Sequence, residues 1–162
     1  MTVKPRATEH QRGQVLAEFV TASMWFFMFL ISFIDAGRAM FAYDLIENAA
    51  KVGARYAIVR GTSCSDLTPH VTPCPAAGTD VTAYVQAQSP GIAIPSGNVT
   101  TSWTWNPNSA SGCPQLGSPV IPTSYQAPGC LVNVTVSYTF KFIWFSGLSV
   151  PMSSQAQMTI QQ

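Results

Sequence analysis

A lone carboxylate, Glu18, stands near the start of a run of twenty residues, 15–34, that holds no other charge. Wound as a helix rising 1.5 Å per residue, that run spans about 30 Å, the thickness of a bilayer's hydrocarbon core. A carboxylate at such a depth costs about 2.5–3.5 kcal/mol on insertion scales, so it calls for a counter-charge. The local sequence is Arg12-Gly13-Gln14-Val15-Leu16-Ala17-Glu18-Phe19. A cut after Gly13 would leave an α-amine on Gln14, four residues before Glu18. Amine and carboxylate would then be complementary, within one chain or between neighbouring chains.

The second chemically distinct set is Cys64, Cys74, Cys113 and Cys130, all beyond the apolar run. An even number of cysteines in an exported segment reads as two disulfides. Three connectivities are open. Cys64–Cys74 with Cys113–Cys130 is favoured, because each closes a short loop containing Pro or Gly. A metal site is the rival, but no Cys-x-x-Cys occurs and His70 is the only histidine nearby. Neither a metal nor a cofactor is expected.

No catalytic constellation emerges. His10 and His70 have no evident acid or nucleophile partner, and after Gly61 the only carboxylates are Asp66 and Asp80. No Gly-x-Ser-x-Gly elbow and no phosphate loop is present. The chain therefore reads as a non-enzyme. With 9% charged residues and a net charge of +1, nothing points to nucleic acid.

The elements that position these groups follow from composition. Residues 1–13 are polar and basic, with Lys4, Arg6, His10 and Arg12, and read as a leader that is disordered or removed. Their charge places the N-terminus in the cytoplasm by the positive-inside rule. A conventional secretory signal fits poorly, because the apolar run exceeds the usual length, contains Glu18 and continues into further helix pattern. Residues 14–61 lack proline and form a single helix, membrane-spanning at first and amphipathic beyond. Phe41, Leu45, Val52, Tyr56 and Val59 mark its expected apolar stripe. Asp35 and Arg38, and Glu47 and Lys51, are spaced to pair along it.

Residues 62–162 form the exported, disulfide-stapled head, rich in Ser, Thr, Pro and Gly, with Asp66, Asp80 and Lys141 its only charges. A short helix is expected over residues 80–88, capped by Thr79, with Val81, Tyr84 and Val85 on its apolar edge. Val99, Trp103 and Trp105 alternate with small hydroxyl residues. Residues 106–129 read as a long excursion. From Val132 to Phe142 the alternation is strict, and Ala156, Met158 and Ile160 define a last strand. The fold class is α+β: a long N-terminal membrane-spanning stem helix and a small head with a sheet of three or four antiparallel strands. Ile143-Trp144-Phe145 and Leu148 prolong the apolar run. The favoured reading folds them into the core as a hairpin end; the other makes them a patch for a neighbouring subunit or the membrane surface.

A glycine, four residues, then Glu18-Phe19 at the head of an apolar helix resembles the processing site of type IV pilins, especially the type IVb branch. Asp35-Ala36-Gly37-Arg38, Tyr43 and Asn48-Ala49-Ala50-Lys51-Val52-Gly53-Ala54-Arg55-Tyr56-Ala57 are similar to the TadE-like family of tight-adherence minor pilins, or pseudopilins. That family usually carries Glu-Phe-Gly-Arg where this chain has Asp-Ala-Gly-Arg. The resemblance covers about the first 60 residues. It implies cleavage between Gly13 and Gln14 by a prepilin peptidase, an assembly role for Glu18 and Phe19, and a stem motif of Asp35, Gly37, Arg38, Gly53 and Arg55. It further implies partners among major and minor pilins and the inner-membrane assembly platform, and a role in adherence and biofilm formation. The major pilins of that branch are usually very short, so a stapled head favours a minor role. The alternative is a single-pass, membrane-anchored exported binding module that enters no filament.

Overall fold

A computed structural model describes residues 9–66, 72–108, 113, 125–144 and 147–161. Its axis is helix α1, Glu9–Ile58, 50 residues long, or about 75 Å. No proline interrupts residues 6–61, so nothing breaks the hydrogen-bond ladder. Residues 9–13, read as part of an unstructured leader, are helical here and continuous with the stem. Residues 1–8 lie outside the described residues. Almost every side chain from 13 to 34 is exposed, and α1 is long and apolar enough to cross a membrane. Within this stretch the hydroxyls of Thr21, Ser23 and Ser32 donate to the carbonyls of Ala17, Val20 and Met28. These bonds satisfy polar groups that hydrocarbon would leave unpaired.

Three strands follow: β1 (Val99–Thr104), β2 (Leu131–Lys141) and β3 (Ser149–Thr159). They form an antiparallel sheet in the order β1-β2-β3. The alternation in β2 works as expected: Val132, Val134, Val136 and Phe140 are buried, while Lys141 is exposed. β3 begins well before the residues whose pattern announced it, with Lys141 opposite Ser149 and Thr139 opposite Pro151. Its first half is polar and contains Pro151, which an edge strand tolerates because one side of its ladder needs no donor.

The head closes its core on the outer half of α1, where the buried residues are Ala42, Ile46, Ala49, Ala50, Ala54 and Ala57. This corrects the expected stripe. Phe41 and Val59 are exposed, and Leu45, Val52 and Tyr56 are half-buried. The true seat lies one residue further along, about 100° round the helix. Bulk hydrophobicity selects the wrong face, because close packing of helix on sheet selects small side chains that let the backbones approach. Gly53 is the extreme case: a Cβ built there would stand 2.7 Å from Val85 Cγ2 and 3.2 Å from Val134 Cγ1.

Helix α2, Gly78–Ala87, buries Val81 and Val85 against the same core. It starts before the expected cap. Thr79 lies inside it, and the Asp80 carboxylate accepts the Ala77 N–H at 2.8 Å. A carboxylate in the first turn satisfies an orphan donor and favours the helix dipole. Tyr84 is half-buried and stacks on Tyr56, ring centroids 4.2 Å apart. Disulfides join Cys64 to Cys74 and Cys113 to Cys130, leaving none of the four thiols for a metal. The C-terminal end returns to the stem, where Gln161 N–H donates to the Ile58 carbonyl.

Candidate functional site

The residues of interest fall at three heights along α1. The lowest is the Gln14–Glu18 turn. Spacing by four places both side chains on one helix face, and Gln14 Nε2 donates to Glu18 Oε1 at 3.1 Å. Ala17, Thr21, Ala22 and Trp25 complete a shallow groove around them. Gly13, Gln14, Glu18 and Phe19 are all exposed. The carboxylate thus has one neutral donor and an open approach for a second group. His10 belongs to the same helix, whereas His70 lies outside the described residues.

The middle height is the stem motif's acid. Asp35 is buried, with 3% of its surface exposed, and two groups hold it. Arg38 Nη1 donates to Oδ1 at 2.9 Å, and the Ile143 N–H donates to Oδ2 at 3.2 Å. The Arg38 guanidinium also sits over the Phe140 ring, 5.4 Å from its centroid. Phe140 in turn meets Phe142 edge to face. Spacing alone identifies the Asp35–Arg38 pair. The Ile143 partner escapes the sequence because it comes from 108 residues away.

That contact follows from two lengths. β2 and the two residues that follow it run antiparallel to α1, from Val134 beside Gly53 to Ile143 at Asp35. Nine strand residues advance about 30 Å, and eighteen helical residues about 27 Å, so the two paths keep step. The β2–β3 hairpin therefore descends the stem to the level where the apolar span begins. Its end is not in the core, contrary to the favoured expectation: Ile143 is 63% exposed, Trp144 65% and Leu148 53%. Phe145 lies outside the described residues. These side chains lie past Phe140, the last buried residue of β2, where the core has ended.

The third height is the seat of the head. Gly53 touches α2 and β2 at once, whereas Gly37 meets nothing within 4 Å. The two motif glycines therefore do different things within one chain. Arg55 is exposed in the last turn of α1, where a cation complements the helix dipole. Above it the Arg60 guanidinium lies 3.8 Å from the Tyr56 ring centroid, continuing the Tyr84–Tyr56 stack.

No curated protein and no solved structure matches the chain. A family model described as TadE-like protein matches residues 13–55. The matched region contains the Glu18 turn, the Asp35 contact and the Gly53 seat, and stops short of the sheet. From residue 13 to residue 55, therefore, the chain is similar to the TadE-like family.

Proposed function

We propose that this protein is a minor pilin, or pseudopilin, of a type IVb tight-adherence pilus, contributing to pilus assembly, surface adherence and biofilm formation. A prepilin peptidase cuts after Gly13 at the cytoplasmic face. The mature chain then waits in the inner membrane, N-terminus inside and head exported, until the assembly platform extracts it into a bundle with other major and minor pilins. The observation that carries this reading is the Gln14–Glu18 turn at the head of an uncovered apolar helix.

Once Gln14 is N-terminal, its α-amine is a charged donor one turn from Glu18. The same carboxylate can instead take the amine of an adjacent subunit. Buried ion pairs contribute little net stability, since desolvation offsets attraction, but breaking one partner typically costs about 3–5 kcal/mol. Such a pair penalises wrong axial registers far more than it rewards the right one. Phe19, exposed beside it, adds an apolar contact to the same face.

Intact mass and N-terminal sequencing of the membrane-extracted protein, made with its native peptidase, test the reading. A start at Gln14 that disappears in Gly13→Leu supports it, and the same mass distinguishes a free amine from pyroglutamate. A chain still beginning at Met1 overturns it in favour of a membrane-anchored binding module.

A further inference from the structure

We infer that Ile143, Trp144 and Leu148, at the end of the β2–β3 hairpin, form a second membrane contact, seated in the interface of the leaflet on the head's side, with Trp144 against phospholipid acyl chains. The inference goes beyond filament assembly and rests on α1 being a membrane span. The first observation is position. Asp35 is the first charge after the apolar run, and Ile143 is bonded to it, so Ile143 and the adjoining Trp144 stand at the membrane boundary. Trp144 lines an apolar notch of about 400 Å³ with Met24, Phe27, Met28, Ile31 and Ser32, all residues of the span. The exposed side chains of the tip are thus continuous with the lipid-facing surface of the helix.

The second observation is composition. Trp is enriched where one side of a ring meets hydrocarbon and its N–H meets headgroups. Lys141, the only cation after Gly61, is exposed three residues before Trp144. Half-exposed Arg38 stands on the stem at the same level. Lys141 just above the apolar side chains fits a phosphate layer above acyl chains, with Arg38, already paired to Asp35, beside it.

The third is the backbone. A loop enters hydrocarbon only if its polar groups are satisfied. Here the Ile143 N–H is taken by Asp35, and the Phe142 N–H approaches the Leu148 carbonyl at 3.5 Å. The main-chain donors of Phe142 and Ile143 are thus satisfied beside the exposed side chains of Ile143, Trp144 and Leu148. Among the described residues no other element of the head covers the span around the notch, and the Trp144 ring with Lys141 above it fits lipid as the occupant.

The test uses the full chain in phosphatidylethanolamine–phosphatidylglycerol vesicles. These are doped with phosphatidylcholine brominated either near the headgroup end or near the methyl end of the acyl chain. Comparing the unaltered protein with Trp144→Phe isolates the emission of Trp144, and Trp25→Phe isolates that of Trp25 in mid-span. Neither exchange touches a buried residue. Trp144 is expected to be quenched more by bromine near the headgroups, and Trp25 more by bromine near the chain ends. If Trp25 is quenched and Trp144 instead responds only to aqueous iodide, the hairpin contact is overturned while the span stands. If neither responds to bromine, the span fails and the inference with it. Quenching of Trp144 by an added pilin but not by bromolipid also overturns it, in favour of a subunit contact.

Discussion

Asp35 Oδ2 accepts the main-chain N–H of Ile143 at 3.2 Å, joining the middle of the stem to the far end of a hairpin 108 residues away. The acid of the stem motif thus acts as a latch as well as the partner of Arg38. A hydrogen bond to a charged group contributes about 1.5–3 kcal/mol. Asp35→Ala is therefore expected to destabilise the head by about 2 kcal/mol, within the range for such bonds, and to speed amide exchange at Ile143. Arg38→Ala leaves the buried Asp35 carboxylate with the Ile143 N–H alone, so it too should cost about 1–3 kcal/mol, but without speeding exchange at Ile143. Denaturant unfolding in detergent with hydrogen-exchange mass spectrometry reads both. Exchange at Ile143 left unchanged by Asp35→Ala would mean that the ion pair, and not the hairpin contact, is what Asp35 provides.

Gly53 and Gly37 should answer to alanine with opposite signs. At Gly53 the new methyl meets the γ-carbons of Val85 and Val134, both on β-branched side chains with little rotamer freedom. Gly53→Ala is expected to lose about 1–3 kcal/mol from overpacking. At Gly37 there is open space, and the helix should gain up to about 1 kcal/mol from propensity. The same unfolding experiment compares them. A stabilised Gly37→Ala protein that nevertheless assembles poorly would assign the vacant face of Gly37 to a neighbouring helix.

Much of this architecture is legible in the residues, and the gaps have physical causes. The absence of proline, the single charge in the span and the strict alternation from Val132 to Phe142 define the stem and the central strand, because each is a local pattern with its own period. Bulk hydrophobicity points to the wrong face for the seat of the head, because the small Ala42, Ala49, Ala50 and Ala54 contribute little to it and are the side chains buried there, while Phe41 is exposed. The first half of β3 carries no alternation of its own and is a strand only because β2 pairs with it. The Asp35–Ile143 contact depends on two elements advancing in step over about 30 Å, a relation held by neither segment alone.

The two disulfides should contribute comparably to stability. They close loops with sequence separations of 10 and 17 residues, and chain-entropy arguments give each about 3 kcal/mol, with the longer ahead by roughly 0.5. Cys64→Ser with Cys74→Ser, and Cys113→Ser with Cys130→Ser, each measured by thermal unfolding, check this. A much larger loss for the second pair would show that Cys130, fully buried in the core beside Val132, matters more through packing than through the loop it closes.

Glu18 separates membrane insertion from assembly. Glu18→Ala removes a charge from the apolar span, so insertion should be unchanged or improved, by up to about 2.5–3.5 kcal/mol on insertion scales. Assembly should fail, because the Gln14 amine would lose the group that fixes its register. Glu18→Gln keeps the shape and an acceptor but not the charge; if charge pairing sets register it should behave like Ala, and if a hydrogen bond suffices it should behave like the parent, whose uncut form already pairs Gln14 Nε2 with Glu18 Oε1. Carbonate extraction reads insertion, and co-purification with the other pilins reads assembly. Normal co-purification of Glu18→Ala would remove the carboxylate from the assembly mechanism and leave the stem as an anchor for the head.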